Sequence, residues 1–217
     1  MMRNSIAILT LCIILSKCGS YKNYNIIKGL TIDPNIKTEV EKHIEDSKKF
    51  DAFKSEMEIY MNSISVESFK DDSLTFRSTD TLKKQVFKSF YLWKDDTLTI
   101  EGAFGVFGGI GFGIDIFKNN ATLYHMLSSD EYPSYAYNEK DSLISRLQVP
   151  CTDTKIILSE IPDSTKSQVI YGYVEFKSVN YFAGNGQQDG HETLPRQKLR
   201  NNMKIYFKSR KLTQPKT

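Results

Sequence analysis

From Leu98 to Phe117 the chain reads LTIEGAFGVFGGIGFGIDIF, six glycines set among almost wholly apolar residues. Leu98, Ile100, Phe104, Val106, Ile110, Phe112, Ile114 and Ile116 all fall on even numbers. Alternation of period two belongs to a strand, not to a helix. Gly108-Gly109 offers the two positive-φ positions that a two-residue hairpin turn requires. Folding there sets Phe107 opposite Ile110, Gly105 opposite Phe112 and Phe104 opposite Gly113, so that an aromatic ring covers each strand glycine. Gly105, Gly108, Gly109, Gly113, Phe104 and Phe112 are therefore expected to be structural. A hairpin in this register is apolar on both faces and belongs at the centre of a sheet, covered on each side.

Before the hairpin the period changes. Asp33-Pro34 is a helix-start signal, an acidic cap followed by a proline at the first helical position. Ile36, Val40 and Ile44, then Phe50, Phe53, Met57, Tyr60, Met61 and Ile64, recur at spacings of three and four opposite a charged face. This predicts one long N-terminal amphipathic helix, kinked or split where the stripe slips at Asp46-Ser47-Lys48. The mixed charge of its polar face favours packing on a sheet over lying on a membrane.

After residue 65 the signals are those of strands. Phe69-Lys-Asp-Asp-Ser-Leu-Thr-Phe76 and Trp93-Lys-Asp-Asp-Thr-Leu-Thr-Ile100 nearly repeat, each an acidic turn opening a strand. Further strands are predicted at Val86–Trp93, Ala121–Met126, Leu147–Val149, Lys155–Ser159, Gln168–Phe182 and Met203–Lys208. An aromatic link with a short edge strand is expected at Tyr132–Asn138, and a long polar loop at Gly184–Asn202. No helical crossover separates the strands, and parallel pairs need one. The expected fold is mainly β (α+β): an antiparallel β-sandwich or flattened barrel, carrying the N-terminal helix.

Composition changes this picture mainly at the N-terminus. Arg3-Asn4, an eleven-residue apolar run from Ser5 to Leu15, and Ser16-Lys17-Cys18-Gly19 have the pattern of a secretory signal, too short to span a bilayer. Leu15-Ser16-Lys17-Cys18 resembles the lipobox of bacterial lipoproteins, in the relaxed form of the Bacteroidetes. The resemblance implies cleavage before Cys18, lipid attachment (a diacylglycerol thioether and an acyl chain such as palmitate) at Cys18, and a cell-envelope protein facing the periplasm from the outer membrane. Val149-Pro150-Cys151, Gly172–Ser178 and Tyr206-Phe207-Lys208 are similar to pieces of uncharacterised lipoproteins of that group and imply no activity. The expected organisation is a signal peptide at 1–17, a lipidated tether at 18–32 and one domain at 33–217. Losing Arg3 and Lys17 brings the formal charge from +3 to +1, which gives no reason to expect nucleic acid as partner.

Chemistry is sparse. The glycines after residue 105 match a nucleotide-loop spacing only superficially, because a strand and not a helix follows them. No catalytic motif and no cofactor is indicated. His125 reads as a core residue and His43 as solvated. Asp189, His191 and Glu192 share one loop and are weak candidates for a metal, against the plainer reading of a polar loop. With Cys18 modified, Cys151 has no disulfide partner and reads as a small apolar residue. The expected function is a non-enzymatic, membrane-anchored β domain. It would bind an envelope protein or an apolar ligand, with Tyr132, Tyr135, Tyr137, Tyr171, Tyr173, Tyr181 and Phe182 available to line a site. The alternative is a hydrolase-type enzyme using Cys151 or a His-containing site, with His125 and His191 as the candidate histidines.

Overall fold

The computed structural model describes residues 27–48, 63–77, 87–104, 108–130, 132–188 and 191–212. They form β1 (Thr31–Ile32), α1 (Ile36–Lys48), β2 (Ser63–Lys70), β3 (Ser73–Arg77), β4 (Phe87–Lys94), β5 (Thr97–Phe104), β6 (Gly109–Phe117), β7 (Asn120–Ser128), β8 (Tyr135–Ala136), β9 (Arg146–Leu158), β10 (Val169–Ser178), β11 (Tyr181–Gln188) and β12 (His191–Lys211). The protein is mainly β, with one helix among the described residues and one large mixed sheet.

Successive antiparallel pairs run β4–β5–β6–β7–β9–β10–β12, and β12 then meets β4 through Arg210–Phe90 and Lys211–Tyr91. The path of bonded neighbours thus returns to its start through seven strands. That last contact is parallel, as is β1 on β9. Both correct the expectation of antiparallel pairing throughout. No helical crossover is needed, because the strands of the ring themselves carry the chain from one partner to the other.

The acidic repeats make hairpins as expected. Lys70 pairs with Ser73 across Asp71 and Asp72, whose φ values of 47° and 64° are those of a tight two-residue turn. Lys94 pairs with Thr97 across Asp95-Asp96.

The glycine-rich hairpin sits in mid-sheet, but its register differs. Phe104 lies opposite Ile110, Gly102 opposite Phe112 and Glu101 opposite Gly113. Gly109 already belongs to β6, so a longer connection than Gly108-Gly109 joins the strands. Gly105 lies outside the described residues. A three-residue change in register is odd, so it turns one strand over relative to the other. Even-numbered residues therefore share one face: Leu98, Ile100, Phe112, Ile114 and Ile116 are all buried in the main core. The other face carries Thr99, Glu101, Ala103 and Asp115. The hairpin is apolar on one face, not two. Rings do cover glycines, from other partners than expected. Tyr124 of β7 lies over Gly113, and Phe207 of β12 over Gly172.

Tyr91, Phe112, Phe176 and Phe207 are fully buried among the aliphatic residues of the core. A second cluster, Leu127, Leu147, Val149 and Tyr181, continues it toward β11. Helix α1 packs Ile36 and Val40 on the outward side of β10, against Tyr173. The Asp33 carboxylate accepts the Asn35 amide at 2.9 Å, as a cap should. The stripe from Phe50 to Met61 lies outside the described residues, but Ile64 belongs to β2 and not to a helix.

Two further expectations change. Lys28–Ile32, read as tether, is stitched into the sheet: the Lys28 amide donates to Asn119 O at 2.9 Å, and β1 pairs with β9. The polar loop at Gly184–Asn202 is instead ladder, β11 against β12 as far as Gln188–His191.

Candidate functional site

Strands β7, β10, β11 and β12 turn polar side chains into the core at one place. His125 is wholly buried. Its Nδ1 lies 2.7 Å from the Gly111 carbonyl and its Nε2 2.9 Å from Nδ2 of Asn201. The carbonyl can only accept, so Nδ1 carries the proton and Nε2 accepts from Asn201. The same Asn201 amide donates to the Tyr181 hydroxyl at 3.0 Å, and the Asn201 backbone amide donates to Ser178 Oγ at 2.9 Å. Desolvation pulls the His125 pKa down to about 4, partly offset by the Gly111 carbonyl. Desolvation likewise raises the Tyr181 hydroxyl. The cluster is therefore neutral, closed and internally satisfied. Such a network specifies one arrangement of the core and offers no proton at neutral pH.

Cys151 is half-buried and packs against the main core. Burial pushes its thiol up to about 12, against the pull of the His125 amide. A nucleophilic cysteine needs the opposite shift.

On the outward face, where β2, β10 and β12 lie side by side, a groove of about 420 Å³ is lined by Glu67, Arg77, Asp153, Glu175, Lys177 and Lys204 among others. Arg77 holds Glu67 at 2.9 Å, Lys204 holds Glu175 at 3.0 Å and Lys177 holds Asp153 at 2.9 Å. The Asn202 amide and Arg77 lower the Glu67 carboxyl; Lys204 and the Tyr173 hydroxyl lower that of Glu175. Glu67 and Glu175 are thus held ionised, and each of the three acids already carries a cation, so the groove suits polar recognition and not proton transfer.

The predicted metal candidates are not brought together in a described site. Asp189 and the side chain of His191 lie outside the described residues. Glu192 is held by Arg196 at 2.6 Å. Among the described residues no three His, Cys, Asp or Glu side chains converge as metal ligands. His43, expected in solvent, stacks on Tyr206 with ring centroids 4.0 Å apart. The seven aromatics do not line one site. Tyr171 and Tyr173 lie against α1, Tyr135 and Tyr181 join the second core cluster, and Tyr132 and Tyr137 are exposed. Cys18 lies outside the described residues.

Asn201 and Arg196 escaped sequence reading. Asn201 could have been found from the alternation it shares with Met203, Ile205, Phe207 and Ser209, all buried on one face of β12. Comparison with models of known families, with curated protein sequences and with solved structures finds no match.

Proposed function

We propose that this chain is a lipid-anchored lipoprotein of the cell envelope, attached through Cys18 to the outer membrane and facing the periplasm. Its domain is a flattened barrel that binds a protein partner and catalyses no reaction. The observation that carries this reading is where the described residues place bulk and where they leave a groove. The inward face is filled by Tyr91, Phe112, Phe176 and Phe207, whereas the groove lies outside among paired charges. A lipid carrier wants an enclosed apolar pocket of roughly 300 Å³ or more, and a charged groove does not meet that need. A hydrolase wants an activated nucleophile, and Cys151 and His125 are shifted away from activity. The seven-strand return of the pairing path supports a barrel over a sandwich. The lipid anchor rests on the leader and the Cys18 junction.

Labelled palmitate fed to cells making the full chain tests the anchor: label on the wild type and none on Cys18→Ala is expected. Chemical cross-linking of the acylated protein in its own envelope, followed by mass spectrometry, tests the partner. A defined protein adduct that is lost in groove variants such as Lys204→Glu supports the reading. Co-purified lipid in stoichiometric amount, with no protein adduct, overturns it.

A further inference from the structure

We infer that the domain stands end-on to the membrane, with the end bearing Lys28, Lys94 and Phe117 against the lipid surface and the β11–β12 arm pointing away. This rests on the lipid anchor at Cys18 proposed above. The described chain enters the fold at Ile27 and Lys28. Lys28 is fixed to the β6–β7 hairpin by its amide to Asn119 O at 2.9 Å and by its carbonyl, which accepts the Ala121 amide at 3.0 Å. Gly29 takes a positive φ of 83° there, and β1 and the Asp33 amide then bind the end of β9. Nine peptide units separate Cys18 from Ile27. Fully extended they reach about 30 Å, so the acyl chains hold this end within about 30 Å of the lipid.

The rim at this end is suited to that neighbour. Cross-strand pairing places Lys94, Thr97, Phe117, Asn120 and Lys28 side by side in one row. Phe117 is 46% exposed, and Lys118 Nζ sits 4.9 Å from its ring centroid. An exposed ring beside lysines gives apolar area for the headgroup boundary and cations for anionic lipid, with Asp95 and Asp96 keeping the electrostatic part small. At the other end of β12, Leu194 is 54% exposed. From Leu194 to Arg210 there is about 50 Å of strand, more than the tether can span.

The test uses the acylated full chain with Cys151→Ser, its fold checked by circular dichroism, and a fluorophore on Asn120→Cys or on Leu194→Cys. It is placed in vesicles of phosphatidylethanolamine and phosphatidylglycerol containing headgroup spin label. Quenching several-fold stronger at 120 than at 194, and weakened by Phe117→Ser, is the expected result. Equal quenching at the two positions, or stronger quenching at 194, overturns the orientation. Unchanged quenching with Phe117→Ser overturns the seat of that ring. Mass spectrometry of the same samples separates the causes: a bare Cys18 sinks the anchor as well, whereas a fully acylated Cys18 with equal quenching sinks only the orientation.

Discussion

Asn201 donates through Nδ2 to Nε2 of His125 across 2.9 Å, inside the core and between residues 76 positions apart in sequence. The contact ties β12 to β7, which are not neighbours in the pairing path. It also fixes the imidazole in its neutral form, and this has a consequence for stability. His125 titrates at about 4 when folded and at the ordinary value of 6.5 when unfolded. Between those values the unfolded chain binds the extra proton, so stability is full above pH 6.5 and falls as pH drops toward 4. The loss is roughly 3 kcal/mol at its limit, since each pH unit between the two values is worth about 1.36 kcal/mol. Urea unfolding at pH 7 and pH 5 should show the wild type markedly weaker at pH 5. In His125→Gln that pH dependence should shrink, with a lower stability at pH 7 of about 1–3 kcal/mol from the broken network.

Three glycines should rank by what stands in the way of a methyl group. A Cβ on Gly111 would lie 2.0 Å from the backbone carbonyl oxygen of Gly102, which cannot move without distorting the β5–β6 ladder. On Gly172 it would lie 2.3 Å from the Phe207 ring, which is wholly buried. On Gly113 it would lie 2.2 Å from the Tyr124 ring, but that ring is only half-buried and can swing outward. Thermal unfolding should therefore place Gly111→Ala as the most damaging and Gly113→Ala as the least. Gly172→Ala should fall between them, at about 1–3 kcal/mol, the usual cost of overpacking.

Cys151 should be silent in the folded protein. With its thiol pushed up to about 12 by burial, almost none is thiolate at neutral pH. Iodoacetamide at pH 7 should leave it unmodified over the time in which an unfolded sample, in urea, reacts completely. Rapid alkylation of the native chain at this position would reopen the hydrolase reading.

The elements that sequence made legible are those whose signal is local. Asp71-Asp72 and Asp95-Asp96 announce their turns because two short acidic residues at a strand boundary have few other uses. Asp33-Pro34 announces α1 because an acidic cap followed by a proline suits only the start of a helix. The register of β5 on β6 was not legible: Gly105, Gly108 and Gly109 offer several turn positions, and only the pairing of β4 and β7 on the outer edges selects one. The β11–β12 ladder was missed because residues such as Asn185, Gln187, Glu192 and Arg196 show no alternation of apolar and polar. A strand pair with few buried positions leaves no period to read. The buried His125 was legible as a core residue from its apolar strand. Its partner Asn201 is marked only by the alternation it shares with Met203, Ile205 and Phe207, a faint signal because an asparagine is buried only when a distant strand brings it an acceptor.

Arg196 holds that unreadable arm in place. Its guanidinium binds Glu192 through Nε and Nη2 and donates from Nη1 to the carbonyls of Glu139 and Asp141 at 2.6 and 2.5 Å. The planar fork meets three acceptors that a lysine ammonium cannot reach together. The 138–141 turn is otherwise held by its own contacts, such as the Asn138 amide donating to Asp141 Oδ2 at 3.1 Å. Arg196→Lys should therefore loosen this turn and the adjoining arm without unfolding the core. Amide exchange at Asn138 and Asp141 should rise at least several-fold, while that of Ile114 and Val174 in the main core stays as in the wild type. Global stability should change by no more than about 1 kcal/mol, because the pair is near the surface. Uniformly faster exchange throughout the sheet would instead mean that the arm and the core unfold as one unit.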